Sequence, residues 1–90
     1  MTRVVVLALA LVFAAGSSAH AQYSVLAEFY GRGVHAYNSG DYLTAYDYLS
    51  KAINGGFQDP RAYYFRGLAS VASGREYEAE ADYRAGAEIE

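Results

Sequence analysis

From Leu26 onward the apolar and small positions fall at Leu26, Phe29, Tyr30, Gly33, Val34 and Tyr37, the i, i+3, i+4, i+7, i+8 spacing of one helix face. Asn38-Ser39-Gly40-Asp41 interrupts the pattern, with Gly40 suited to the left-handed turn that ends a helix and Asp41 to capping the next one. Tyr42, Ala45, Tyr46, Leu49, Ala52 and Ile53 then restore the helical spacing until Asn54-Gly55-Gly56 stops it. Asp59-Pro60 restarts it as a cap followed by proline in the first turn. This third stretch runs to about Ser73, with Tyr63, Tyr64, Gly67, Leu68 and Val71 expected inward. From Glu76 to Glu90 polar and apolar residues nearly alternate, which is the period of a strand. That length is excessive for a strand, alanine and glutamate favour helix, and Glu80 stands four residues before Arg84 in the orientation that supports one. The expectation is therefore an all-α chain.

The segment ahead of this pattern has a different character. Arg3 precedes an apolar run from Val4 to Ala15, and the segment closes on Ala19-His20-Ala21, the small-x-small pattern of a secretory cleavage site. Twelve apolar residues reach only about 18 Å as a helix, short of the roughly 30 Å hydrocarbon core, which favours a cleaved signal over an anchor. Residues 1–21 are expected to be that signal, and 22–90 the mature domain, exported to a bacterial periplasm or the exterior. Of seven basic side chains, losing Arg3 leaves six against ten acidic ones, a net charge of −4. Such a balance lacks the clustered basic surface that nucleic-acid binding requires. Cysteine is absent, so stability must come from packing or association. All ten tyrosines lie after the leader, supplying large flat side chains to helices that meet at glycine and alanine.

A shift of 34 residues superposes Tyr30 on Tyr64, Arg32-Gly33 on Arg66-Gly67, Ser39-Gly40 on Ser73-Gly74, and Ala45 on Ala79. Phe29 with Tyr63, Val34 with Leu68, and Leu49 with Tyr83 fill in between. On these residues the chain resembles the tetratricopeptide repeat (TPR) family. Phe29, Gly33, Ala36, Ala45, Leu49 and Ala52 match its signature in one unit, and Tyr63, Gly67, Ser70, Ala79, Tyr83 and Gly86 in the next. The resemblance implies a TPR-like α-solenoid of two helix-turn-helix repeats, about 26–59 and about 60–90, or four helices in all. Three departures bear on the angle between the units: Tyr77 stands one residue off the place of Tyr42, Gly86 replaces alanine, and Gly55-Gly56-Phe57-Gln58 replaces a proline-ended link.

Candidate chemistry thins out against this background. Gly31-Arg32-Gly33-Val34-His35-Ala36 fits the G-x-G-x-x-A form of a dinucleotide loop, but it lies inside a helical stripe, and Phe65 replaces Gly31 in the second copy. His35 is the one histidine outside the leader and lacks the companions of a metal site. Asp41 is read as a cap and Asp47 as a solvated helix residue, not as an acid–base pair. Arg32 and Arg66 occupy equivalent positions, each expected to lie over a tyrosine and reach a carbonyl or acid between helices. Glu76, Glu78, Glu80 and Asp82 are expected to form a solvated outer face.

These residues point to a non-catalytic chain without cofactor or metal. The resemblance implies a concave face that accepts a peptide or helix of a protein partner. By register this places Ala27, Tyr30, Val34, Tyr37 and Asn38 on it from the first unit, and Arg61, Tyr64, Leu68 and Val71 from the second. The face is tyrosine-rich and only lightly charged. Two units make one complete interface where a stable array generally needs three, so a homo-oligomer, or a shortened piece of a longer array, is the alternative.

Overall fold

The computed structural model describes the backbone of residues 2–90 and the side chains of 19–90. It contains α1 (Thr2–Asn38), α2 (Tyr42–Asn54), α3 (Pro60–Ala72) and α4 (Glu76–Ile89), and no strand among the described residues. The leader expectation rests on the apolar run 4–15, whose side chains lie outside the described part. None of the described helices is long and apolar enough to cross a membrane.

The turns form where the local chemistry requires them. Gly40 and Gly74 take φ of +80° and +81°, a conformation that side chains with a Cβ resist. At both turns the same hydrogen bonds close the preceding helix. The Asp41 N–H donates to the Ala36 carbonyl at 2.9 Å and the Arg75 N–H to that of Ser70 at 2.8 Å, while Ser39 and Ser73 donate to His35 and Ala69 at 3.0 Å each. Asp41 caps α2 by accepting from the Thr44 N–H at 3.3 Å, and Asp59 caps α3 by accepting from the Arg61 N–H at 2.9 Å. These contacts satisfy donors that a helix N-terminus otherwise leaves open.

Each helix packs on the next in sequence, and α1 also meets α3. Glycine decides how closely they approach. A Cβ added at Gly33 would lie 2.6 Å from Leu49 Cγ, and one at Gly67 would lie 2.5 Å from Tyr83 Cε1. Gly31 has nothing within 4 Å of such an atom. The G-x-G-x-x-A stretch therefore sits inside α1, with no strand ahead of it, and its second glycine serves helix contact. Alanines fill most of the centre: Ala36, Ala45 and Ala69 around Leu49 in one cluster, and Ala52 and Ala62 around Phe57 in another, wrapped by half-buried aromatics.

Two expectations need correction. In α3 the buried residues are Ala62, Gly67, Ala69 and Ser70, whereas Leu68 and Val71 are 39% and 41% exposed. Because α3 lies between α2 and α4, it buries two flanks lined with small residues, and a single stripe of large apolar positions misplaces its core. The acidic run is also divided by helical geometry: Glu76 and Glu80 face solvent, but Asp82 is only 6% exposed. The expected Glu80–Arg84 pair does form, at 2.6 Å on the exposed side of α4. Upstream of Leu26, α1 continues, and the Tyr23 ring, 57% exposed, lies 5.6 Å from that of Phe57.

Candidate functional site

The residues expected on the concave face separate into two groups. Tyr30 and Tyr37 on α1 converge on Phe65 of α3, with ring centroids 6.4 Å and 5.6 Å away, both edge-on. Phe57 stacks on the other side of Tyr30 at 5.4 Å, and Tyr42 lies 5.6 Å from Tyr37. The Arg61 guanidinium sits 5.6 Å over the Tyr30 ring while Asp59 holds it at 2.6 Å. Burial raises the Tyr30 phenol above its ordinary pKa, with Asp59 adding to the shift and Arg61 opposing it. The hydrogen bond to Arg61 lowers the Asp59 carboxyl, and the same bond raises Arg61. Thus Tyr30 and Tyr37 belong largely to the packing between α1 and α3, whereas Arg61 stays exposed at the edge of Tyr30. Val34 is half-buried beside them and Asn38 is exposed.

The second group remains open. Tyr64, Leu68 and Val71 lie at i, i+4 and i+7 on α3 and so share one face. The Tyr64 ring rests on Gly86, where a Cβ would meet it at 2.5 Å, and its hydroxyl donates to the Glu90 carboxylate. That hydrogen bond raises the phenol pKa. Leu68 and Val71 form an apolar strip on this flank, uncovered among the described residues.

Between these groups Arg66 ties three helices together. Its guanidinium donates twice to Asp82 of α4, at 2.7 Å and 3.0 Å, and once to Ser50 Oγ of α2 at 3.2 Å. The Tyr46 and Tyr63 rings lie 5.6 Å and 5.9 Å from it. Burial alone lowers the Arg66 pKa, but the bonds and charge of Asp82 outweigh that effect and leave it raised. The expectation of an interhelical arginine holds here. Arg32 behaves differently: it pairs with Glu28 along its own helix at 2.9 Å, well exposed, with the Tyr48 ring 5.9 Å away.

Arg32 lines an open depression of about 710 Å³ between α1 and α2, together with Glu28, Gly31, His35, Asp41 and Tyr48. Among the described residues no three His, Cys, Asp or Glu side chains are grouped to hold a metal ion. The sequence pattern did not mark Phe65, Phe57 and Asp82 as organising residues. For Phe65 the signal was present, because a large aromatic stands where the 34-residue shift puts glycine. Asp82 was concealed by the acidic run around it. No protein-family model matches the chain, and no curated protein or solved structure matches it.

Proposed function

We propose that this chain is a non-catalytic protein–protein interaction module of tetratricopeptide-like design, two stacked helical hairpins that receive a peptide or helix of a partner. The observation that carries the reading is the open strip of Leu68 and Val71 beside Tyr64, an apolar surface on a helix flanked by polar residues. Support for the repeat design comes from the two turns with matching hydrogen bonds and from Gly33 and Gly67 at matching close contacts. A non-enzymatic role is consistent with Asp41 and Asp59 being engaged at helix N-termini. Export through the leader remains part of the proposal.

The test is crosslinking from a photoreactive residue placed at Leu68 in the full chain, in the cells that make it. A discrete protein adduct that disappears with Val71→Asp is expected. Adducts identical to those from a photoreactive residue at exposed Asp47 would remove the reading. Self-association is the second reading, favoured by the uncovered depression at the Arg32 flank. Sedimentation of the full chain decides it, since a dilute folded monomer contradicts it.

A further inference from the structure

The chain carries its own template for what covers a Tyr64–Leu68–Val71 face. A shift of 34 residues maps these three onto Tyr30, Val34 and Tyr37. There, α3 lies across the face and places Phe65 between Tyr30 and Tyr37, at 6.4 Å and 5.6 Å. Ala62 and Ala69, one turn to either side of Phe65, are completely buried, and Arg66 lies over Tyr46. On the outer flank the place of Tyr46 is taken by Glu80, which is exposed. Apart from Arg84, which Glu80 holds, and the half-buried Arg75 at its N-cap, which faces Glu78, the charges that α4 and its C-cap expose are acidic: Glu76, Glu80, Glu88 and Glu90.

We infer that the outer flank of α3 and α4 docks a basic helix of a different protein, one that inserts an aromatic side chain between Tyr64 and Val71 and sets a cation against Glu80. This inference rests on the interaction-module reading and specifies its partner. The internal contact supplies the aromatic, and the acidity of α4 supplies the preference for a cation. A second copy in the same register is a poor occupant. The surface it would offer carries Glu28, Gly31 and His35 where α3 has Ala62, Phe65 and Ala69. The aromatic is missing, and two larger polar side chains stand where only alanine fits.

Sedimentation velocity on the full chain tests this, using Glu28→Ala, Gly31→Phe and His35→Ala together to give the α1 surface the contact residues of α3. All three positions are exposed, and a Cβ at Gly31 meets no atom within 4 Å, so the fold tolerates them. The triple variant is expected to form head-to-tail chains as concentration rises, the outcome of a contact between unlike surfaces. Adding Leu68→Asp is expected to weaken that association about tenfold or more, and adding Glu80→Gln about threefold or more. A triple variant that sediments like the natural chain overturns the inference. Association indifferent to Glu80→Gln overturns the basic partner, and a natural chain that already associates through Leu68 makes a second copy the occupant. Loss of Leu68 crosslinking while the triple variant still associates would remove the module reading alone. Crosslinking retained without that association would leave the module with another kind of partner.

Discussion

Arg66 and Arg32 stand at matching points of α3 and α1, each one residue before a glycine on which another helix closes, yet only Arg66 is locked in place. The difference originates in the facing helix, where Asp82 meets Arg66 and Tyr48 takes the corresponding place near Arg32. It is completed by what lies outside. Arg66 has α2 against it and reaches Ser50, whereas Arg32 faces the open depression and folds back on Glu28. An arginine side chain thus becomes structural when a second helix removes water from it and an acid replaces that water. Without the second helix it is a surface ion pair, exchanging with solvent.

The sharpest way to break this contrast is Arg66→Ala, which leaves Asp82 buried without its cation. We expect a loss of about 3–5 kcal/mol in urea or thermal unfolding followed by circular dichroism. The glycines give the next contrast. Gly33→Ala is expected to cost about 1–2 kcal/mol, because the added Cβ meets the fully buried Leu49, partly offset by better helix propensity. Gly67→Ala is expected to cost less than half as much, since the half-buried Tyr83 ring can swing aside. Ser70 occupies the place of Ala36, and its buried hydroxyl lacks a hydrogen-bond partner among the described residues. Ser70→Ala is therefore expected to raise stability by about 1 kcal/mol.

Acid gives a further, smaller effect. The Asp59 carboxyl is held below its ordinary value, so its contribution is complete above the unfolded value of about 4 and disappears as pH falls through the lower folded one. Protection of the amides at the start of α3, taken relative to the intrinsic exchange rate at each pH, is expected to fall in that acid range, and Asp59→Asn is expected to abolish that part of the pH dependence. The smallest change should come from Arg32→Ala, whose unfolding transition is expected to overlay that of the natural chain in the same measurement. A larger loss would mean that the two arginines are more alike than their surroundings suggest.

The four helices were legible because glycine, aspartate and proline punctuate the chain wherever the spacing breaks. The last helix was the hardest, since its near alternation imitates a strand and only alanine, glutamate and the Glu80–Arg84 spacing argue otherwise. Burial was less legible than secondary structure. Leu68 and Val71 look like core by size, but at a close helix crossing it is Ala69 and Ser70 that fit. Asp82 carries no local mark separating it from Glu76 and Glu80, because its role depends on an arginine sixteen residues upstream. Of the residues that the resemblance places on a partner face, Tyr64, Leu68 and Val71 share one flank of α3. The spacing could not reveal that Phe65 already engages Tyr30 and Tyr37.

Among the described residues α4 packs on α3 alone, whereas α3 is braced by α1, α2 and α4. A pull on the C-terminal end therefore loads a single seam fastened at Arg66 with Asp82, at Gly67 with Tyr83, and at Tyr64 with Gly86 and Glu90. Under force the last helix should peel away first and leave the remaining three assembled, so the protein gives way in steps, as a zipper does.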